Sequence, residues 1–301
     1  MPEREQRVTV AVGARSLSLS NLDKVMYPEV GFTKSQVIDY YARIAPALVA
    51  HVAGRCMTLR RWPNGVEGSS FFNKRCPTHR PTWIDVSIGP GDRDGDIPYC
   101  RLDEPAALVW TANMAAIELH APMARADDIE SPTMMVFDLD PGQPAGMREC
   151  CQVALDLAEV LSAVGLEAFP KTSGSKGLQV YVPLNSPHRH EHAASFARAA
   201  GQLLARQKPD RVLVEMTKAL RTGRIFVDWS QNSRHKTTIA AYSLRANPRP
   251  TVSTPLRWDE VDAGADGAPL VFEAAQVLAR VEDMGDLFAP TAAMVQTLPG
   301  A

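Results

Sequence analysis

The stretch Met134-Met135-Val136-Phe137-Asp138-Leu139-Asp140-Pro141-Gly142 constrains this chain more than any other. Four apolar residues lead into an acid, an apolar residue and a second acid, and a Pro-Gly pair then stops the run. An apolar run bounded by turn residues reads as a buried strand. Side chains alternate faces along a strand, so Asp138 and Asp140 point the same way. Two ionised carboxylates one strand step apart repel, and a divalent cation is the simplest relief. Hard oxygen ligands suit Mg2+ or Mn2+. The competing reading is a strand end with two solvated acids before a turn, and this stretch alone does not separate the two.

The chain has 301 residues, enough for one large domain or two closely packed halves. A hydrophobic content of 45% supplies a sizeable core, and a net charge of −2 excludes a global basic field. Any nucleic-acid surface must therefore be a local patch. No window approaches the roughly 18 apolar residues of a membrane span. The charged start, Met1 to Arg7, lacks a signal-peptide core, so no membrane association and a cytoplasmic location are expected. Five cysteines show no CxxC spacing, and neither a disulfide framework nor a zinc site is expected.

Residues 7–20 alternate like a hairpin. Residues 21–28 form a loop, and Thr33 with Gln36 makes a capping box for a helix ending near Gly54, whose Tyr40 and Tyr41 are core candidates. Met57 to Trp62 reads as a strand. Phe71-Phe72 sits beside Lys74-Arg75, and bases can stack on exposed aromatics while cations hold phosphate. Two aromatics anchoring a strand to the core is the commoner arrangement. Residues 77–98 read as loop, 104–115 as a helix and 116–120 as a strand whose His120 suits a core position. A strong amphipathic helix over 144–165 precedes Phe169-Pro170-Lys171-Thr172-Ser173-Gly174-Ser175-Lys176-Gly177 and a strand from Leu178 to Leu184. The Ser/Gly/Lys loop resembles an anion cradle of backbone amides, hydroxyls and one cation, and a plain turn fits equally well. It opens a strand, so it is no Walker A loop. His188, His190 and His192 read as the solvated start of a helix over 189–207. Arg224 to Ser230 reads as a strand ending in Asp228, Thr237 to Arg245 as a strand ending in a cation, and 270–284 as a last helix. The final dozen residues read as loose.

Two acids on one strand, a third on another and a possible phosphate cradle suit two-metal phosphoryl transfer, with Lys176 and Arg245 neutralising a triphosphate. Several motifs then carry a resemblance. They are Phe137-Asp138-Leu139-Asp140-Pro141-Gly142, Thr172-Ser173-Gly174-Ser175-Lys176-Gly177-Leu178 and Val227-Asp228-Trp229-Ser230-Gln231-Asn232. Lys236 to Ala240, Tyr242 to Arg245, Asp23 to Pro28 and Arg61 to Gly65 also match, in order, over about residues 15–290. The chain resembles the polymerase domain of bacterial DNA ligase D, a branch of the archaeo-eukaryotic primase superfamily.

The resemblance implies an α/β (α+β) fold with a primase-like catalytic core and two sheet-bearing halves around a central cleft. Residues 1–290 would form the primase-polymerase domain, with about 1–130 gripping DNA and its 5′-phosphate, about 131–250 forming the metal and nucleotide core, and 291–301 a loose tail. Asp138, Asp140 and Asp228 would be catalytic and hold two ions, Mn2+ or Mg2+. His120, Ser173, Ser175, Lys176, Gln179 and Arg245 would hold the nucleotide, Gln179 standing where the family commonly has His. Asn21, Lys24 and Lys34 would grip a 5′-phosphate, and Phe71, Phe72, Lys218 and Arg221 would touch template or primer, the last two from a mobile loop.

The implied activity is template-dependent addition of NTP or dNTP, with ribonucleotides preferred, to a 3′-hydroxyl at gaps or broken ends. The expected partners are gapped or broken DNA and a separate ATP-dependent ligase, for a nucleoid-associated monomer resembling the stand-alone ligase-associated proteins. The rival readings are a non-catalytic end-binding module, favoured only by Gln179, and a metal-dependent phosphoesterase.

Overall fold

A computed structural model describes residues 7–91 and 95–300; most of the charged start read above lies outside them. The chain opens with a hairpin, β1 (Arg7–Val12) and β2 (Arg15–Ser20), and a short pair, β3 (Val25–Tyr27) and β4 (Phe32–Thr33). Helix α1 (Lys34–Val52) starts at the expected capping box: the Thr33 hydroxyl accepts from the Gln36 amide, and the Gln36 side chain accepts from the Thr33 amide at 2.8 Å. There follow β5 (Thr58–Arg61), β6 (Phe71–Asn73), a hairpin of β7 (Val86–Pro90) and β8 (Asp96–Cys100), α2 (Pro105–Asn113), β9 (Ala116–Pro122) and β10 (Met134–Pro141). The second part holds α3 (Met147–Ser162), β11 (Phe169–Thr172), β12 (Leu178–Pro183), α4 (His190–Gln207), β13 (Val212–Leu213), β14 (Ile225–Asp228), β15 (Thr237–Ile239), α5 (Trp258–Ala265) and α6 (Ala274–Met284).

Two sheets carry the site. One runs β11-β12-β10-β14-β13, and the other β15-β9-β5-β6. Strand β10 shows how alternation builds the junction between them. Met135, Phe137 and Leu139 enter the core beneath α3 and α4, while Met134 and Val136 enter the core around α1 and α2. Asp138 and Asp140 continue this second face where the apolar packing stops. Each fully buried apolar side chain contributes about 1.5–3 kcal/mol, so slipping the strand by one residue would cost its whole apolar set. In β9 the same alternation sends Ile117, Leu119 and Ala121 into the core and leaves Glu118 and His120 on the opposite face.

Several expectations change. Residues 77–98 hold the β7–β8 hairpin, and a disulfide joins Cys76 to Cys100. Residue spacing alone gives no Cα–Cα distance, so this pair carried no sequence signal. The strand expected to reach Arg245 ends at Ile239, because Tyr242 has a left-handed backbone (φ 65°) that its amide-to-Ser253 carbonyl bond and the Tyr40 hydroxyl hold in place. His188 and His190 are buried rather than solvated; both ring nitrogens of His190 meet backbone carbonyls, those of Asn232 and Ile129. The sheets also do not divide the chain at residue 130, since β15 completes the sheet of β9 and β5.

The C-terminal segment is not loose. The Gln296 side chain accepts from the Glu167 amide at 2.7 Å and donates to the carbonyls of Glu167 and Pro183, and Leu298 is buried in the second core. Composition concealed this, because one apolar residue and one amide make the anchor. Leu298→Ala should lower the unfolding free energy by about 2 kcal/mol or more. Urea denaturation checks it: an unchanged midpoint would mean that the segment contributes no packing.

Candidate active site

The acids come together through sheet register. Asp138 lies opposite Asp228 on β14 and opposite Gln179 on β12, and Asp140 follows two residues along the same face. Directly opposed residues on an antiparallel pair have Cβ atoms about 5 Å apart. Burial, followed by the charges of Asp140 and Asp228, pushes the Asp138 carboxyl well above the usual range; hydrogen bonding to Gln179 and the charge of Lys171 pull it partly back. Asp140 rises for the same reasons, burial first and then Asp228, with Arg221 opposing. Asp228 accepts from the Ser230 amide and hydroxyl on one oxygen and from the Gln231 side chain on the other.

Among the described residues no three acid, histidine or cysteine side chains meet around one point. Asp228 is turned to Ser230 and Gln231, and Asp140 leans toward Arg221, 4.0 Å away. The donor set nonetheless fits hard divalent cations: oxygen ligands only, on one face, with Asp138 and Asp140 both raised by burial and by neighbouring carboxylates. A cation would offset the repulsion among them.

A continuous line of contacts runs from the acids across the sheet junction. A Cβ added at Gly177 would meet the Leu139 carbonyl at 2.5 Å and Asp140 Oδ1 at 3.7 Å, so the Ser173–Gly177 loop lies directly against the acid strand. A Cβ at Gly174, whose φ is +70°, would meet Arg245 Cγ at 2.7 Å. Arg245 Nε lies 3.2 Å from Glu118 Oε1, and Glu118 Oε2 lies 3.0 Å from His120 Nε2. His120 then meets the edge of Phe72, with ring centroids 5.6 Å apart.

Phe71 and Phe72 are 46% and 57% exposed, so they do not anchor β6 to the core. Arg61 stacks on Phe71 and Arg60 on Phe72, which stiffens both rings as open platforms. Beyond His120 the same sheet face runs, through the pairs Thr58–His120 and Thr237–Pro122, into a pocket also lined by Lys74, Arg234, His235 and Lys236.

The loop differs from a simple amide cradle. The amides of Ser175 and Gly177 turn inward to the Ser173 hydroxyl, at 3.3 and 3.1 Å, and the Gly174 carbonyl accepts from Asn247 and Thr251. These bonds tie the loop to itself and to the 247–251 segment, with Ser175 and Lys176 exposed at its tip.

Gln179 departs further from its expected phosphate contact. It is 3% exposed, and its carbonyl oxygen accepts from Lys171 Nζ at 2.6 Å and from the Tyr181 hydroxyl at 3.3 Å. Its position in register beside Asp138 makes it a strut under the acid. Arg221 also differs: it stacks on Phe226 at 3.7 Å and donates to the Met216 carbonyl, which brings it to the acids, while Lys218 remains exposed in the preceding turn. Gly142 permits this, since a Cβ there would overlap the Arg221 carbonyl.

At the other end, the Lys34 amide donates to the Lys24 carbonyl, bringing the two lysines together at the start of α1. Lys34 Nζ donates to the Ser20 carbonyl at 2.6 Å, and Lys24 Nζ to the Asn64 side chain at 3.1 Å. Asn21, with φ 55°, turns the chain so that its carbonyl accepts from the Lys24 amide.

Sequence reasoning missed Lys171, Glu118, Arg60 and Gln231. Lys171 is 1% exposed, and burial pulls its pKa down to about 7. Its amine also donates to the Ile239 carbonyl and the Ser253 hydroxyl, tying the two sheets together. Glu118 could have been found, because it sits two residues before His120 and so shares its face.

The raised acids set a sign for pH dependence. A carboxyl whose folded pKa exceeds its unfolded value contributes stability below the unfolded value and loses it as pH rises through the folded one. In chelator, the melting temperature should therefore fall as pH rises from about 5 to about 8, by less in Asp138→Asn, and Mn2+ should remove the difference. Lys171 acts with the opposite sign, from about 7 upward. Identical pH profiles for the wild type and Asp138→Asn in a melting scan would contradict the coupling.

Comparison with known proteins agrees with the geometry. The family described as the LigD primase-polymerase domain matches residues 33–288. A multifunctional non-homologous end joining protein LigD from Mycolicibacterium smegmatis is 42% identical over 274 residues, covering 90% of this chain and 35% of that protein. The LigD of Pseudomonas aeruginosa is 35% identical over 81% of this chain and 29% of its own length. The chain thus spans about a third of the length of the curated relatives it matches. A solved polymerase domain of Mycobacterium tuberculosis ligase D in complex with DNA superposes with a TM-score of 0.87 at 40% identity, over 93% of this chain and 99% of that one. The mixed α/β fold, the register of the three acids and these matches together mean that the chain belongs to the LigD primase-polymerase domain family, a family of metal-dependent nucleotidyltransferases of end-joining repair.

Proposed function

We propose that this chain extends a 3′-hydroxyl at short gaps or broken DNA ends, directed by a template and preferring ribonucleotides, and that a separate ATP-dependent ligase seals the product. The observation that carries the reading is the register of Asp138 against Asp228, with Asp140 on the same face, at one end of a line of cations that ends on two exposed phenylalanines. In the reaction a bond forms between the 3′-oxygen and the α-phosphorus, the 3′-hydroxyl proton passes to solvent, the α–β phosphoanhydride bond breaks, and pyrophosphate leaves. Two divalent cations, Mn2+ or Mg2+, held by these acids would acidify the 3′-hydroxyl and neutralise charge on the phosphates.

The chain's own residues do the rest. Asp138 and Asp140 would hold both cations, and Asp228 would complete the site for the one that activates the 3′-hydroxyl. Ser173, Ser175, Lys176 and Arg245 hold the triphosphate, with His120 beside the nucleotide. Phe71 and Phe72 stack on template or incoming base, which fits their exposure. Lys218 and Arg221 attend the primer end. Gln179, buried in register beside Asp138, braces the acid from below, which supports the catalytic reading over a non-catalytic end-binding module. We place the protein as a monomer on damaged DNA at the nucleoid. Among the described residues no helix is long and apolar enough to cross a membrane.

A primer-extension assay with Mn2+ and labelled nucleotide tests the reading. Asp138→Ala, Asp140→Ala or Asp228→Ala should reduce extension by about 1000-fold or more while leaving DNA affinity within about threefold. Hydrolysis of nucleotide without template would instead indicate a phosphoesterase.

Asn21, Lys24 and Lys34 form the proposed 5′-phosphate grip, through their side chains, because the first amides of α1 are taken by the Lys24 and Leu22 carbonyls and the Thr33 hydroxyl. A gap bearing a 5′-phosphate should bind tighter than the same gap with a 5′-hydroxyl, and the difference should shrink as salt rises. It should nearly vanish in Lys24→Ala/Lys34→Ala, while extension of a simple primer-template survives. Equal wild-type affinity for the two gaps at low salt would remove this grip.

A further inference from the structure

We propose that Glu118 is the positioning residue of the triphosphate grip: one buried carboxylate that holds Arg245, His120 and Arg60 in a converged arrangement before the nucleotide arrives. This rests on the polymerase reading above and names a residue that the reading does not use.

The side chain of Glu118 is 3% exposed and meets four donors from three parts of the chain. Oε2 receives His120 Nε2 at 3.0 Å, from the same strand, and lies 3.6 Å from Arg60 Nη1 on the neighbouring strand β5. Oε1 lies 3.2 Å from Arg245 Nε and accepts from the Ala246 amide at 3.2 Å, both on the segment that follows the Tyr242 turn. Burial alone would drive this carboxyl toward its neutral form. The hydrogen bond from His120 and the charge of Arg245 more than offset it, and the pKa lies below the usual range. Glu118 is therefore a fixed anion inside a cluster of cations.

An apolar residue could fill this volume without desolvating a charge, and an isolated buried charge is costly. The carboxylate is accounted for by what surrounds it. Arg60 and Arg245 would repel each other across the junction if nothing lay between them. One negative charge against two permanent positive charges binds both and still leaves a positive surplus for an anion. The arrangement extends beyond the cluster, because Arg245 packs against Gly174 and so braces the loop that carries Lys176. On the other side His120 and Arg60 both contact Phe72, the base platform. A single carboxylate thus sets the spacing between the phosphate end and the base end of the nucleotide site. Holding the donors in place beforehand removes the reorganisation that binding would otherwise require.

The test reads nucleotide binding apart from chemistry, DNA binding and folding. Wild type, Glu118→Gln, Glu118→Asp, Arg245→Met and the double variant Glu118→Gln/Arg245→Met are compared. The measurements are the KM and kcat of primer extension, the affinity for fluorescent mant-GTP with Mn2+, gap-DNA affinity and melting temperature. Glu118→Gln should raise both KM and the mant-GTP dissociation constant about tenfold, with kcat and DNA affinity within about threefold. The double variant should lose less than the sum of the two single losses, because Glu118 acts in part through that arginine.

A folded Glu118→Gln with wild-type KM and mant-GTP affinity would overturn the proposal, and so would fully additive losses in the double variant. If Glu118→Gln does not fold, Glu118→Asp decides. It keeps the charge but withdraws it by one methylene, and should raise KM several-fold; a wild-type KM there overturns the proposal. A wild type that neither binds mant-GTP nor extends a primer would instead overturn the polymerase reading, and this inference with it.

Discussion

The site depends on like charges being held together by packing that they do not influence. Asp138 and Asp228 face each other across two hydrogen-bonded strands, and at about 5 Å in an effective dielectric near 20 two unit charges repel by about 3 kcal/mol. What holds them is the other half of each strand. Met135, Phe137 and Leu139, and Ile225 and Val227 beside them, are buried in the core under α3 and α4. The strands cannot separate without exposing that face. The repulsion is thus maintained by hydrophobic packing elsewhere; burial first, and then the neighbouring carboxylates, raise the proton affinity of Asp138 and Asp140, the property that suits them to a cation.

A polar layer carries this constraint from one sheet to the other. Lys171 reaches Gln179 under Asp138 and the Ile239 carbonyl on β15, and the Tyr181 hydroxyl meets Thr238 at 2.8 Å. Every polar atom named there has a partner, which is the condition for such a layer to hold one geometry rather than several. The acids therefore stand on a fixed floor, and the variable parts of the site are the exposed ones: Lys176, Lys218 and the two phenylalanines.

Much of this was legible in the sequence because alternation is a local property. The acid strand, the third acid, the capping box at Thr33 and the long helices follow from patterns spanning fewer than about twenty residues. What was not legible is what tertiary contacts decide. Gln179 reads as an open phosphate contact, and its burial and the Lys171 amine, eight residues earlier, on its oxygen are tertiary facts. Phe71 and Phe72 fit a core anchor as well as a base platform until their exposure is known. The Ser173–Gly177 loop reads as a set of free amides, yet two of them are turned to its own serine. Cys76 and Cys100 are far apart in a stretch whose composition suggests only loop. Glu118 is the exception, an omission of reasoning rather than of signal, since its two-residue offset from His120 already placed both on one face.

The order in which the strands occur has a consequence for biosynthesis. The chain supplies β5, β6 and β9 first, then all of the acid sheet, and only afterwards β15, which completes the earlier sheet beside His120. A nascent chain that has emerged as far as Asp228 already carries all three acids, yet lacks Ile239, Ser253 and Arg245, the residues that Lys171 and Glu118 engage across the junction. The Lys171 and Glu118 contacts across the junction cannot form until residues 239–253 have left the ribosome. A translation product arrested between residues 228 and 237 would thus possess the acids without the brace that orders them.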